Sequence, residues 1–140
     1  MSMKNAIAAN WVAERANSVS TNFELLGSSR GYATFKKAFR SPQEVFYSAH
    51  DDNGNRECGY GTFQGNKIAK REPTATLVNG IYSVSSPPRV NFTKEVTVAC
   101  TFNASAFDIL WKALGAIDPD GDGNINIPPE LISGLGDALR

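Results

Sequence analysis

Residues 45–63 read V-F-Y-S-A-H-D-D-N-G-N-R-E-C-G-Y-G-T-F, and their pattern predicts a β-hairpin at the centre of the chain. The strongest signal is Asn53-Gly54, because both residues tolerate the positive φ that a type I′ turn requires. A two-residue turn at this position places Asp51 opposite Arg56, so that opposite charges face each other across the strands. We therefore expect this turn to set the register of every pair behind it.

The same register pairs His50 with Glu57 and Phe46 with Gly61. An aromatic ring opposite a strand glycine covers bare backbone and helps to hold the register. Gly59 and Gly61 share one face, so this face can accept a bulky group or approach another backbone closely. An acid–base reading of His50 and Glu57 is available, since a carboxylate can tune an imidazole. The chain has one histidine and no evident nucleophile or second base, so we interpret the two residues as a cross-strand pair.

Alternating apolar and polar residues predict more strands on both sides of this hairpin. Turn signals at Gln64-Gly65-Asn66 and Asn79-Gly80 separate some of them, and Pro73 is expected to end a strand or to cause a bulge. The predicted strands outside the hairpin are Trp11–Ala16, Val19–Leu25, Gly31–Phe39, Lys67–Glu72, Thr74–Val78, Ile81–Val84 and Lys94–Phe102. The expected fold class is therefore mainly β (α+β), an antiparallel β-sandwich or barrel of about eight strands with a C-terminal helix pair.

The periodicity changes after residue 102, where an apolar stripe with the spacing of an amphipathic helix begins. The stripe consists of Phe107, Leu110, Trp111 and Leu114. Pro128-Pro129 is suited to the first turn of a second helix. We expect an N-terminal arm at 1–10, an antiparallel β domain at 11–102 and a helix-loop-helix appendix at 103–140 that packs on the β domain.

The loop between the two predicted helices resembles the start of an EF-hand calcium loop. Asp118, Asp120, Asp122 and Asn124 supply oxygens at alternate positions, and a glycine occupies the sixth place. The twelfth place should hold a bidentate carboxylate, but Glu130 comes one residue late. Two interpretations stay open: a weak Ca²⁺ site formed by these five residues, or an acidic linker without metal. No other cofactor is indicated.

Bulk composition excludes several classes of partner. Fourteen basic and fourteen acidic residues cancel, so no net field attracts nucleic acid or acidic lipid. No apolar run approaches the roughly 20 residues that cross a bilayer, and residues 1–10 lack the apolar core of a secretory signal. The basic clusters, Lys36-Lys37 with Arg40 and Lys67 with Lys70-Arg71, are interpreted as solvated faces or protein contacts rather than as a nucleic-acid surface.

Two cysteines, Cys58 and Cys100, both fall in predicted strands. We expect reduced, buried thiols; a disulfide is the open alternative, because pairing cannot be read from spacing. No P-loop, HExxH or GxSxG motif is present. These observations predict a scaffold rather than an enzyme.

Part of the chain resembles a known module. Residues 51–63 fit the pattern D-x-x-G-N-x-E-x-G-x-G-T-[YF], and Trp11–Arg15, Gly31–Phe35 and Ala69–Arg71 accompany it. Together, over about residues 10–102, these motifs resemble a β-rich module recurrent in structural proteins of tailed bacteriophages, both tail-fibre-type and capsid-associated proteins.

The resemblance implies a non-enzymatic virion structural protein, made in the host cytoplasm and located in the virion. One short domain without a shaft or receptor-binding tip favours a capsid decoration (cement) protein that stabilises the head; a tail-fibre or tail-adaptor subunit is the alternative. The expected partners are the major capsid protein or tail proteins, together with further copies of the chain in a homo-oligomer, often threefold in such assemblies. A further alternative is a small calcium-binding interaction module unrelated to phages.

Overall fold

The computed structural model of the protein describes residues 6–101 and residue 104. The chain divides into two units, Met1–Ser105 and Ala106–Arg140, and all described residues belong to the first. The strands of the described part are β1 (Ala13–Val19), β2 (Asn22–Ser28), β3 (Gln43–His50), β4 (Arg56–Gln64), β5 (Lys67–Val78), β6 (Ile81–Ser83) and β7 (Val96–Ala99), and helix α1 (Phe35–Ala38) lies between β2 and β3.

Six strands close into an antiparallel barrel in the order β2-β1-β7-β3-β4-β5, and β5 returns to β2 through the pairs Phe23–Ile68 and Glu24–Lys67. β6 stays outside the ring and, among the described strands, pairs with β5 alone. The sequence did not distinguish a β-sandwich from a β-barrel. The described residues form a barrel. The predicted C-terminal helix pair falls almost entirely on residues outside the described part.

Side chains fill the interior of the barrel. Phe23 packs edge-to-face on Tyr47 with ring centroids 5.4 Å apart, and Phe35 packs against Phe63 at 6.0 Å. The apolar core cluster consists of Val12, Ala16, Phe23, Leu25, Phe35, Val45, Tyr47, Ala49, Phe63, Ile68, Val90, Phe92, Val96, Val98 and Cys100. The alternation predicted for 94–102 is confirmed where it is described, since Val96 and Val98 point inward.

The strand predicted over Gly31–Phe39 is wrong, because its centre is helix α1. Thr34 caps this helix by accepting a 3.2 Å hydrogen bond from the Lys37 amide. The buried carboxylate of Glu14 accepts a 2.9 Å hydrogen bond from the Phe35 amide, one of the orphan donors of the first turn. Both acceptors hold the segment as a turn of helix, and the long-range one is invisible to local periodicity.

The boundaries predicted for the first two strands were also wrong. Val19 pairs with Asn22 across a turn at Ser20-Thr21, near the start of the strand predicted over Val19–Leu25. Ser20 adopts a φ of 54°, which allows the reversal. Alternation continued across the turn in the sequence, so period-two counting could not detect the reversal.

The central hairpin is present, but its predicted register is wrong by one residue. His50 pairs with Arg56 and Ala49 with Glu57, so the connection is the five-residue loop Asp51–Asn55. The Asp51 carboxylate organises this loop by accepting hydrogen bonds of 2.9 Å from the amides of Asn53 and Asn55 and of 3.0 Å from the Asn55 side chain. A side chain that supplies these acceptors makes the longer loop stable.

The second Asn-Gly pair forms the turn that its sequence predicts. Asn79 and Gly80 join β5 to β6 with φ angles of 52° and 81°, as a type I′ turn requires. The tight turn between β4 and β5 at Gly65-Asn66 is likewise confirmed. Pro73 lies within β5 next to an extra residue in the pairing with β4, so the predicted bulge is correct.

Part of the predicted N-terminal arm is described, and it pairs with the barrel. The Ile7 amide donates to the Glu44 carbonyl and the Ile7 carbonyl accepts from the Phe46 amide, both at 3.0 Å. These bonds use the edge of β3 that β7 leaves unpaired. Among the described residues, no helix has the length and apolarity needed to span a bilayer.

Candidate functional site

The most distinctive chemical feature of the barrel is a buried cluster of ionisable side chains, Glu57, Arg71 and Tyr47. The Arg71 Nε donates a 2.9 Å hydrogen bond to Glu57 Oε2, and the Tyr47 hydroxyl donates to the same oxygen at 2.6 Å. The second oxygen, Oε1, accepts a 2.6 Å bond from the amide of Val90. Both carboxylate oxygens are therefore satisfied inside the core.

The rest of the Arg71 guanidinium is bonded to backbone carbonyls. Nη1 donates to Ser20 at 3.2 Å and to Asn22 at 3.0 Å, and Nη2 donates to Val90 at 2.9 Å. The cation also lies 4.2 Å from the ring centroid of Phe23, within range of a cation–π contact. One side chain thereby joins the β1–β2 turn, β4, β5 and the segment that contains Val90.

The alternation of β4 positions this cluster. Glu57, Gly59, Gly61 and Phe63 all point inward, and the two glycines let β5 approach β4. A Cβ on Gly59 would lie 2.0 Å from the carbonyl oxygen of Glu72, so that contact excludes any side chain. The sequence interpretation that this face comes close to another backbone is confirmed.

The cluster has the chemistry of a structural lock. Burial, and then the adjacent Glu57 carboxylate, hold the pKa of Tyr47 well above its ordinary value, so its hydroxyl stays protonated and donates. Every carboxylate oxygen is occupied, and Glu57 and Arg71 have almost no contact with solvent. The cluster therefore holds four segments of the barrel together.

The predicted opposition of His50 and Glu57 is wrong, and with it the basis for an acid–base pair. Glu57 turns into the barrel, whereas His50 is half-buried and pairs with Arg56. The physical reason is the one-residue shift of the hairpin, since such a shift moves every side chain to the other face.

The predicted metal ligands, Asp118, Asp120, Asp122, Asn124 and Glu130, all lie outside the described residues. Within residues 6–101, no group of three or more His, Cys, Asp or Glu side chains is arranged to hold a metal ion. Both cysteines of the described part are free thiols. Burial raises the pKa of Cys100 to about 11 and also raises the pKa of Cys58, so both thiols are protonated at neutral pH.

The outer surface carries an apolar edge on strand β6. Ile81 is 68% exposed, Tyr82 is 71% exposed and Val84 just beyond the strand is 58% exposed. The sequence from Pro73 to Pro88 contains no charged residue, so this edge also lacks the lysines that commonly protect edge strands.

A second apolar surface lies where the arm meets β1. A cleft of about 420 Å³ is lined by small residues together with Trp11, Tyr32 and Cys100. The indole of Trp11 is 76% exposed, and its backbone adopts a φ of 60°. Trp11 and Tyr32 line the same cleft, and contiguous exposed apolar surface is more typical of contact sites than a single exposed side chain is.

The two predicted basic clusters differ in their exposure to solvent. Lys36, Lys37 and Arg40 are all exposed on α1 and just beyond it. The cluster of Lys67, Lys70 and Arg71 is divided, because Arg71 lies inside the barrel while Lys70 faces solvent. Only in the first cluster are all three residues exposed.

The burial of Glu57 and Arg71 was not among the features predicted from the sequence. For Glu57 a signal existed: counting back by twos from Phe63 through the two glycines reaches it, independently of the turn. For Arg71 none existed, because an extra residue in β5 near Lys70, whose φ is 52°, breaks the alternation there.

The chain was compared with family models, with curated proteins and with solved structures. No family model matches the chain, and no curated protein or solved structure matches it either.

Proposed function

We propose that this protein is a non-enzymatic structural protein of a tailed-bacteriophage virion, and specifically a capsid decoration protein that stabilises the head. The observation that carries the proposal is an uncharged, apolar edge strand, β6, held on a barrel whose buried Glu57–Arg71–Tyr47 cluster is fully hydrogen-bonded. The likeness of residues 51–63 to a module of phage structural proteins supplies the biological setting.

Rigidity supports a scaffolding role. A buried ion pair that keeps all its hydrogen bonds resists local opening, because removing one partner leaves an uncompensated charge at a cost of about 3–5 kcal/mol. The Glu57–Arg71 pair has this property and connects strands that are distant in sequence. A cement protein needs such a body, since it must transmit force between capsid subunits without deforming.

The edge strand supports a gripping role. An exposed strand edge offers unpaired backbone groups to a strand of another protein. On β6 the exposed Ile81 and Tyr82 would add apolar burial to that pairing, and the absence of charge from Pro73 to Pro88 removes the usual barrier to it. The partner that we propose for this edge is the major capsid protein.

The test is a binding experiment with virions or with capsids that lack the protein. We expect the wild-type chain to be present in purified particles in many copies, distributed over the head. Tyr82→Lys should abolish binding to the capsid without changing the melting temperature, because the side chain is solvent-exposed. Val19→Lys, at an exposed apolar position of β1, is the matched control and should bind normally.

The copy number and the position in the particle distinguish the head from the tail. If only a few copies are found and they lie on the tail, the protein is a tail-fibre or tail-adaptor subunit and not a decoration protein. Absence of the protein from purified particles, or normal capsid binding by Tyr82→Lys, would contradict the proposal.

The spacing of Asp118, Asp120 and Asp122 favours one other candidate function, a calcium-binding interaction module. Calorimetric titration with Ca²⁺ tests it directly. We expect heat of binding in the wild type and none after Asp120→Ala together with Asp122→Ala. A flat trace for the wild type would remove this candidate.

A further inference from the structure

The neutral chain is composed of two oppositely charged parts. Residues 1–105 contain twelve basic and eight acidic residues, a formal charge of +4, whereas residues 106–140 contain two basic and six acidic residues, a formal charge of −4. The zero net charge that argued against electrostatic partners thus results from cancellation between separate segments.

Part of the positive charge of the barrel unit is concentrated in one stretch of its sequence. Residues 25–43 contain four basic residues and no acidic one, and all four are exposed. We call this set the basic face; it consists of Arg30, Lys36, Lys37 and Arg40. Glu24 and Glu44 are the nearest acidic residues in sequence, and Glu24 already pairs across the strands with Lys67.

The basic face is held in place by the core beneath it. Phe35, the first residue of α1, is completely buried against Phe63, and its amide is bonded to the buried carboxylate of Glu14. Lys36 and Lys37 follow directly on this anchor and point to solvent. Their positions are therefore fixed by packing rather than by contacts of their own.

The cations of the basic face are not used within the barrel. The ion pairs of the described residues are Arg15–Glu95 at the surface and Arg71–Glu57 in the core. Four exposed positive charges without a carboxylate partner in the described part repel one another, and a complementary partner relieves that repulsion.

We propose that the basic face binds the acidic segment 106–140 of a second copy of this chain. The two charges are opposite and equal, and every copy carries both, so the complementary partner is present wherever the protein is present. Because the two surfaces differ, the contact is heterologous: each copy binds one neighbour through its basic face and another through its acidic segment, which generates a ring or a filament. This inference does not depend on the proposed function in the virion.

The first measurement is sedimentation velocity of the wild-type chain, with EDTA present to exclude bound metal. We expect assembly at about 0.01 M salt, where charges interact over about 30 Å, and dissociation at about 1 M salt, where that range falls to about 3 Å. A wild-type chain that stays monomeric at low salt, or whose assembly is unaffected by salt, would overturn the proposal.

Two complementary variants make the test specific. Lys36→Glu with Lys37→Glu cancels the net charge of the basic face, because two new carboxylates then offset Arg30 and Arg40. Asp118→Asn, Asp120→Asn and Asp122→Asn together neutralise much of the acidic segment. We expect each variant to be monomeric alone at low salt. Mixed together, they should form a 1:1 dimer that cannot extend, because one intact basic face and one intact acidic segment remain.

A matched control separates location from total charge. Arg56→Glu with Lys94→Glu changes the charge by the same amount at exposed residues outside the basic face, and this variant should assemble like the wild type. Each variant should keep the wild-type melting temperature within a few degrees. Loss of assembly in the control, or a mixture that stays monomeric, would contradict the proposed contact; assembly only after nucleic acid is added would assign the basic face to a different partner.

Discussion

Arg71 and Glu57 form a 2.9 Å ion pair inside the barrel, and neither side chain has appreciable contact with solvent. The pair is stable in the core because other groups complete it: the Tyr47 hydroxyl and the Val90 amide bond to the carboxylate, and three backbone carbonyls bond to the guanidinium. It joins parts of the chain that are far apart in sequence, the β1–β2 turn, β4, β5 and the segment that contains Val90.

Arg71→Met should destabilise the protein by about 3–5 kcal/mol, because it leaves the Glu57 carboxylate buried without a counter-charge. Urea unfolding measures this loss. Adding Glu57→Leu to Arg71→Met removes the stranded charge and should recover part of the stability. The control is Arg56→Met at an exposed position, which we expect to stay within about 0.5 kcal/mol of the wild type; a similarly small effect of Arg71→Met would show that the pair contributes little.

Gly59→Ala should be more destabilising than Gly61→Ala. At Gly59 the new methyl group would meet backbone, with the Glu72 carbonyl oxygen at 2.0 Å, and the strands would have to separate. At Gly61 the closest atom is the side-chain Cγ2 of Ile68 at 2.7 Å, followed by the Ala69 carbonyl oxygen at 3.1 Å. Melting temperatures rank the two variants, and equal melting temperatures would contradict the close approach of β5 at Gly59.

Gly61→Val is also expected to destabilise the fold and to lower the melting temperature. The register predicted from the sequence places Phe46 opposite Gly61, where it would crowd a larger side chain. In the structure Gly61 lies opposite Val45, and the crowding comes from β5 on the other side.

The two Asn-Gly pairs should respond differently to alanine. Asn79 adopts a φ of 52°, so Asn79→Ala places alanine in the left-handed region at a cost of about 1–2 kcal/mol. Asn53 lies in a five-residue loop where only Gly54 has a positive φ, so Asn53→Ala should change stability by less than about 0.5 kcal/mol. Chemical denaturation compares them; a larger loss in Asn53→Ala would favour the two-residue turn.

Asp51 should stabilise the protein in a pH-dependent way. Burial raises the pKa of its carboxyl, but hydrogen bonds from Asn55 and Asn53 outweigh burial, so the pKa is lowered from the ordinary value of 3.8. A lowered pKa in the folded state contributes stability above pH 3.8, and this contribution is lost as pH falls through the folded-state pKa.

Asp51→Asn removes the charge and keeps the shape. We expect a loss of about 1–2 kcal/mol at pH 7. This loss should begin to narrow as the pH falls below 3.8 and should disappear below the lowered folded-state pKa, where the wild-type carboxyl is also neutral. Asp52→Asn is the control, because Asp52 is exposed and next to Asp51. A difference between Asp51→Asn and the wild type that does not change with pH would show that the charge is not what stabilises the loop.

Local sequence predicted most of the strands and some of the turns. Apolar–polar alternation predicted β7, the tolerance of Asn79-Gly80 for positive φ predicted the turn, and the missing N–H of Pro73 predicted the bulge. All three are properties of neighbouring residues. Helix α1 was not predicted, because Glu14, which accepts from its first amide, is 21 residues away from Phe35. The register predicted for the hairpin was wrong for a different, local reason: the Asp51 carboxylate bonds the amides of Asn53 and Asn55 and stabilises a five-residue loop in place of the two-residue Asn53-Gly54 turn.

The sequence by itself determined that this chain forms an antiparallel β domain, because hydrophobic period and turn chemistry act over a few residues. Only the tertiary structure decided that the sheet closes into a barrel and that Glu57 and Arg71 meet in its interior. Closure and ion pairing depend on distances between residues that are remote in the chain, and a one-residue shift or a single bulge reverses which side chains point inward.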